Sequence, residues 1–484
     1  MKVIYRVGIA LAVSVGAAGI YYVWREQRIQ RERAHRDLTR KKKRRGNINI
    51  GAVFGMDVGG TLTKIVFFER ALDGGSTPIS PSSEGGKAPL SPSYIPVENG
   101  NSLALRKTSS HGSLAQLDNP DHKAALQELY GYMDTTLAKA KSGSKGPMNI
   151  VQQDSVLSFY SPLLGGKLKF LSFETRNMVT AINLLSSQQS IMENIKTIGC
   201  TGGGAHKYAR DVEEQLDIRF EQQDELDCLV CGMHFALTYI ENECYTFRNE
   251  MIDVSNKKEV REYTKRVMMP YHSIVSKSPF PYLVVNIGSG VSILKISAPG
   301  KFERVSGSSV GGGTYWGLCR LLVPSKTTYE ELLNLAEQGD PSHVDMLVKD
   351  IYGGGYDSMN LSGSMVASSF GKLVMKEYPR DGTKEEDLAI ALLMMITNNI
   401  GQVAHLNAQL HGCSKIFFVG SFLRHNSISC RRLAFAIDFW SKGATEALFL
   451  QHEGYFGALG TFLRNAMGKD VEKLFERDED ISFF

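Results

Sequence analysis

Two segments, far apart in the chain, show the same alternation of apolar and polar positions. An apolar run from Ala52 to Met56 stops at Asp57. Gly59, Gly60, Thr61, Thr63 and Lys64 follow before a second apolar run, Ile65 to Phe68. This spacing predicts a strand, a tight turn and a return strand. In the second half, Tyr282 to Gly290 (YLVVNIGSG) repeats the design. An apolar strand ends in polar Asn286, Ile287 matches Val58, Gly288-Ser289-Gly290 stand where Gly59-Gly60-Thr61 stood, and Val291 to Ser297 return. The copies are too far apart for a solenoid. They predict a duplicated α/β body with two glycine turns around one cleft.

Between and after these hairpins, three- and four-residue apolar spacing predicts helices. They cover His122 to Lys141, Arg176 to Ser187, Asp224 to Ile240, Tyr329 to Gly339, Glu385 to Leu410 and Arg431 to Phe449. In the third, Leu226, Leu229, Val230, Met233 and Leu237 form one stripe. Strands are expected at Lys167 to Phe173 (alternating), Ile195 to Cys200, and Ile416 onward into a turn at Arg424. Further glycine turns lie at Gly202-Gly203-Gly204 and Gly311-Gly312-Gly313, and EGYFGALGTFL at Glu453 closes the body.

Two regions break the pattern. Val7 to Trp24 is an uncharged, mostly apolar run of 18 residues, near the lower limit for spanning a bilayer. Eleven Lys and Arg against three acids follow between Arg25 and Arg45. That bias places the body on the cytosolic side of an N-terminal anchor. The short anchor with basic flanks resembles signal anchors of the mitochondrial outer membrane; the endoplasmic reticulum or mitochondrial import are alternatives. The second region, about 72–120, is rich in Ser, Gly and Pro and reads as a disordered insertion within the folded body.

Composition changes the picture little. Of 484 residues, 43% are apolar and 22% charged, enough for a sizeable core. Net charge is +4, but the basic block carries it, so the body is near neutral or slightly acidic and no nucleic-acid partner is expected. Seven cysteines form no paired framework, and the lone Cys228-x-x-Cys231 lies in an apolar helical pattern. Buried thiols in a reducing compartment are expected.

No stretch fits G-x-x-x-x-G-K-[ST] or G-x-G-x-x-G. Several glycine turns at strand ends, split between two halves, remain. Such turns suit a phosphotransferase that clamps a nucleotide between two lobes. Backbone N–H groups at Gly59 and Gly60 can approach an anion, Thr61 adds a hydroxyl, and Asp57 can hold magnesium directly or through water. A plain hairpin turn is the other reading of that stretch.

The motifs then align with a known family. DVGGTLTK at Asp57, CTGGGAHK at Cys200, DELDCL at Asp224, NIGSGVSI at Asn286 and RVSGSSVGGGTYWGLC at Arg304 resemble eukaryotic-type (type II) pantothenate kinases. So do DIYGG at Asp350, GSMVASSFG at Gly363, TNNIGQ at Thr397, VGSFLR at Val419, DFWSKG at Asp438 and EGYFGALG at Glu453. The resemblance runs from about Gly51 to Gly468 in the family's order, apart from the insertion. It implies an actin-like (sugar kinase/Hsp70) ATPase fold with two ribonuclease-H-like lobes around a nucleotide cleft, and a homodimer. It implies ATP- and Mg2+-dependent phosphorylation of pantothenate, the first step of coenzyme A synthesis, with acetyl-CoA as feedback inhibitor. The segments then expected are an anchor and basic segment over 1–50, an N-terminal lobe over 51–275, a C-terminal lobe over 276–468 and a tail over 469–484.

Residue roles carry over by motif. Glu225 matches the catalytic base, and its place at the edge of the helix's apolar stripe would raise its pKa. Without the resemblance it reads as a solvated acid at a helix start. Asp224 then supports the helix start, and Asp227 is structural. Ser289, Ser292 and Arg304 match contacts to pantothenate or acetyl-CoA. Asp57 is assigned to magnesium, and Gly59, Gly60, Thr61 and Lys64 to the β- and γ-phosphates. Gly202, Gly203, Gly420 and Ser421 are candidates for the remaining nucleotide contacts. Two alternatives from other classes are a catalytically silent acyl-CoA sensor of the same fold, and an actin- or chaperone-like ATPase with no acceptor.

Overall fold

In the computed structural model the expected first hairpin forms from β1 (Phe54–Val58) and β2 (Leu62–Arg70), with Asp57 opposite Lys64. The structure describes residues 50–70, 120–141, 151–180, 194–254, 257–270, 280–325, 328–359 and 361–475. The 7–24 segment, its basic flank, nearly all of the 72–120 insertion and the end of the tail lie outside these residues, as does most of the helix expected from Arg176.

Helix α1 (Pro120–Lys141) precedes β3 (Gln152–Ser161) and β4 (Gly166–Glu174). Then come β5 (Thr197–Thr201), α2 (Gly203–Leu216), β6 (Arg219–Gln222) and α3 (Glu225–Tyr239). The first sheet runs β3-β4-β2-β1-β5-β6, antiparallel up to β1 and parallel from β1 to β6. β4 is buried along most of its length on both faces, where its sequence had suggested alternation. The neighbouring strands and the layers packed over them cover the side that an isolated hairpin would leave wet.

The second sheet collects β7 (Cys244–Val254), β8 (Lys257–Met268), β9 (Tyr282–Ile287), β10 (Val291–Ala298) and β11 (Lys301–Ser308). It is completed by β14 (Lys415–Val419) and β15 (Glu446–Leu450), in the order β11-β10-β9-β14-β15-β7-β8. A two-stranded ribbon, β12 (Met346–Leu347) with β13 (Val366–Ser368), stands apart. Each main sheet contains a three-stranded antiparallel meander followed by two parallel strands: β4-β2-β1-β5-β6 in one and β11-β10-β9-β14-β15 in the other. That repeated third-second-first-fourth-fifth order is the ribonuclease-H-like topology, duplicated as in actin-like ATPases.

Helices α4 (Gly312–Leu322), α5 (Tyr329–Ala336), α6 (Glu385–His411) and α7 (Ser427–Ser441) surround the second sheet. α6 is apolar and long enough to cross a membrane by composition, but most of it is buried against these neighbours. The expected helix from Arg431 to Phe449 is two elements. α7 ends at Ser441, because Lys442 (φ 54°) and Gly443 (φ 80°) turn left-handed, and Glu446–Leu450 becomes β15 between β14 and β7. Apolar ALFL suits either conformation, and the vacant place beside β14 decides.

The sheets also divide earlier than position 275. The chain leaves the first sheet after α3, since β7 and β8 already belong to the second. It returns after β15, and α8 (Phe456–Met467) packs on β1, β5 and α3. The two crossings are tied together. His452 Nδ1 lies 2.6 Å from Glu243 Oε2, and its Nε2 donates to the Leu157 carbonyl at 2.9 Å. Burial pushes this imidazole down, but the adjacent Glu243 carboxylate outweighs it and holds the group above its ordinary value. Arg424, after β14, pairs with Asp154 of β3 at 2.5 Å and donates to Ser172 of β4 at 3.1 Å.

Candidate active site

Asp57 is the last-but-one residue of β1. Thr201 of β5 lies beside it in parallel register, and Lys64 of β2 stands opposite, with Nζ 3.5 Å from Oδ2. Gly202 follows Thr201 with φ +86°, and a Cβ there would stand 2.7 Å from Asp57 Oδ1. Only glycine meets both demands. On the other side, a Cβ on Gly457 of α8 would stand 3.0 Å from Oδ2. The carboxylate thus lies against the starts of two helices, α2 and α8, where partial positive charge favours anions.

Glu225 is the first residue of α3. Asp224 caps the helix, its Oδ1 accepting from the Leu226 and Asp227 amides at 2.9 Å. The cap orients the first turn so that Glu225 faces the β1 end. Its carboxyl is raised above the ordinary value by partial desolvation and by the negative charge of Asp57, against a smaller opposing effect of Lys64. The side chain nevertheless stays open to the cleft. Asp227 lies 3.8 Å from Arg464 of α8.

The turn after β1 closes with the Gly59 amide donating to the Leu62 carbonyl at 3.1 Å, leaving Gly60 and Thr61 exposed. The second turn approaches it across the cleft: a Cβ on Gly60 would stand 3.9 Å from Ser289 Oγ. Behind Ser289 the geometry of the first lobe recurs. Gly420 follows β14 with φ +107°, and a Cβ there would stand 2.7 Å from Asn286 Oδ1, as Gly202 does beside Asp57. Ser421 comes next, against Gly454. Ser292 is paired with Asn286, as Lys64 is with Asp57. Arg304 of β11 donates from Nε to Ser292 Oγ at 3.5 Å, and the arginine is otherwise exposed.

Asp57, Lys64, Gly202 and Glu225 therefore form one cluster, with Gly59, Gly60 and Thr61 at its edge. Gly203 begins α2 with open space around it. Ser292 and Arg304 form a second group, joined to the first through Ser289. Three features were not assigned from the sequence. Gly457 against Asp57 lies in the EGYFGALG motif. Gly312 and Gly313 at the start of α4 donate to the Gly288 and Ser289 carbonyls at 2.9 Å. Thr175 backs the first turn. The glycine-rich spelling of the first two was visible, but their targets lie in other elements.

A carboxylate at a strand end, with a second carboxylate close by, fits magnesium. That ion takes one or two protein carboxylates and completes its shell with water and phosphate oxygens. Among the described residues no group of three or more His, Cys, Asp or Glu is placed to hold a metal. All seven cysteines are buried and unpaired, and burial pushes the Cys231 thiol up to about 12.

Two ribonuclease-H-like lobes with matched glycine turns give the protein the actin-like ATPase fold. The Fumble family model matches residues 53–464. Pantothenate kinase of Schizosaccharomyces pombe is 39% identical over 354 residues, 72% of this chain and 84% of that protein. The chain belongs to the Fumble family, the family of pantothenate kinases. Pantothenate kinase 2 of Oryza sativa subsp. japonica is 43% identical over 316 residues, 62% of this chain and 33% of that protein. A 4'-phosphopantetheine phosphatase of Mus musculus is 36% identical over 398 residues, 82% of this chain and 45% of that protein. The chain thus aligns with between a third and a half of the length of these two larger relatives.

Proposed function

We propose that the protein phosphorylates pantothenate on its primary alcohol with ATP, giving 4'-phosphopantothenate, the first step of coenzyme A biosynthesis. The observation that carries this is the convergence of Asp57, Lys64 and Glu225 beneath the glycine turn. Ser289, on the acceptor side, lies close enough that a Cβ on Gly60 would stand 3.9 Å from its Oγ. ATP lies with its β- and γ-phosphates along Gly59, Gly60, Thr61 and Lys64, and Gly202, Gly203, Gly420 and Ser421 line the rest of the nucleotide. Asp57 would hold Mg2+, which when bound neutralises charge on the phosphates. Ser289, Ser292 and Arg304 hold pantothenate, the guanidinium serving its carboxylate.

Glu225 takes the proton of the alcohol as its oxygen attacks the γ-phosphorus and the bond to ADP breaks. A carboxyl raised by desolvation is a stronger base than an exposed one. Positioning and electrostatic stabilisation supply most of the acceleration. Acetyl-CoA carries the pantothenate skeleton, so the same serines and arginine accept it as an inhibitor. Exposed apolar side chains on α6 (Leu406, Leu410) and α7 (Phe435, Phe439) support a homodimer. The apolar run 7–24 supports a membrane anchor, with the mitochondrial outer membrane as its site and the body in the cytosol.

A second reading is a silent acyl-CoA-binding body of the same fold; one relative carries the name of a phosphatase, so kinase is not the only activity named among the relatives. Retention of both Asp57 and Glu225 supports the kinase. ADP release from the purified full-length chain decides. Release that requires pantothenate and yields a phosphorylated product is expected. Release without acceptor would instead indicate a plain ATPase, and none at all, with acetyl-CoA still bound, the silent body.

A further inference from the structure

We infer that Thr175 is a positioning residue for the nucleotide, acting through the first glycine turn. This inference rests on the kinase reading for what the turn binds. Thr175 follows β4 directly and is only 3% exposed. Its amide donates to the Thr61 carbonyl at 2.9 Å, and its Oγ1 donates to the Gly59 carbonyl at 2.8 Å. The Thr63 hydroxyl, fully buried, lies 3.0 Å from the same Oγ1. A threonine hydroxyl has one hydrogen, and here it goes to Gly59, so Thr63 is the donor in that last bond.

The consequence follows from peptide geometry. In a trans peptide the carbonyl and the next N–H point in opposite directions. With the Gly59 carbonyl held on Thr175, the Gly60 N–H points away from Thr175, out of the sheet end. Gly60 is exposed there and approaches Ser289 of the other lobe. Left alone, a turn containing two adjacent glycines would sample many orientations of that N–H. Two bonds to Thr175, one on each side of Gly60, remove that freedom before an anion arrives, and Thr63 keeps the hydroxyl aimed.

The test compares full-length wild type, Thr175→Val and Thr175→Ser for affinity of a fluorescent ATP analogue, for KM of ATP and of pantothenate, and for thermal stability. Valine keeps the shape and the amide bond but loses the hydroxyl. Thr175→Val is expected to weaken the analogue and raise KM for ATP by about tenfold, the effect on the turn of losing the bond to the Gly59 carbonyl; the Thr63 hydroxyl loses its acceptor as well, which the thermal stability reads. KM for pantothenate stays within about twofold, since the Ser292–Arg304 group is untouched. Thr175→Ser restores nucleotide affinity. A folded Thr175→Val chain that binds the analogue as wild type does would overturn the inference. Should that variant not fold, Thr63→Val applies the same measurement to the supporting hydroxyl, and unchanged affinity there overturns it equally. A wild type that binds the analogue yet phosphorylates no pantothenate defeats the kinase reading while the binding comparison still judges Thr175. A wild type that binds no analogue defeats both.

Discussion

Gly60 and Ser289, on the glycine turns of opposite lobes, come so close that a methyl group on Gly60 would stand 3.9 Å from the serine Oγ. That is ordinary contact, so Gly60→Ala should fold with unchanged thermal stability and weaken ATP by less than about tenfold. Gly202→Ala is different. Its methyl would stand 2.7 Å from Asp57 Oδ1 at a backbone angle that alanine avoids. Displacing Asp57 by about 1 Å should lower kcat/KM by about a hundredfold or more, with a lower melting temperature. The pair is checked by steady-state kinetics and thermal unfolding.

Glu225→Gln should keep nucleotide and pantothenate binding while kcat falls by about 10²–10⁴-fold. In wild type the base must be ionised, so activity is lost as pH falls through its raised value. The acid limb of kcat/KM should therefore lie above the ordinary glutamate value of 4.5. Lys64 is the charge that opposes the rise, so the residual activity of Lys64→Met should show that limb at higher pH. An acid limb that does not move on this change would separate Glu225 from the proton transfer.

Arg304→Lys retains charge but cannot keep the planar Nε donation to Ser292. KM for pantothenate should rise by about tenfold and the inhibition constant for acetyl-CoA should rise in parallel. KM for ATP should not change, because the one hydrogen bond described for the Arg304 side chain goes to Ser292 of β10. Equal effects on both substrates would place the arginine elsewhere in the mechanism.

Glu453 concerns stability. It is buried between the two crossings, its Oε2 has no hydrogen-bond partner among the described residues, and desolvation and Glu243 push its carboxyl well above the ordinary range. The folded chain holds this proton where the unfolded chain releases it. Glu453 therefore makes stability fall as pH rises from about 4.5 toward the raised value, and below 4.5 the penalty is absent. Glu453→Gln should melt roughly 2–4 °C higher than wild type at pH 8, with the advantage gone near pH 4.5. Calorimetry across that range checks both the sign and the window.

Much of this site was legible in the chain itself. Asp57 and Asn286 could be aligned before any fold was known, because a hairpin's turn is encoded within about ten residues. The helix start at Asp224 was legible for the same reason: a cap and its amides are neighbours in sequence. The helix read through Arg431–Phe449 failed where local pattern is ambiguous. Nothing in ALFL says that an open place beside β14 awaits a strand.

What the sequence by itself determined is the pair of glycine turns, the polar residue one short of the end of each central strand, the carboxylate at the start of α3, and the family these spell. Tertiary structure alone decided that β7 and β8 join the second sheet and that α8 returns to the first, laying Gly457 on Asp57. It also decided that Thr175, 116 positions beyond Gly59, holds that residue's carbonyl. The physical reason is range. Turns and caps are satisfied by hydrogen bonds between near neighbours, whereas strand order, helix docking and the backing of a loop depend on which distant groups fill each vacant edge.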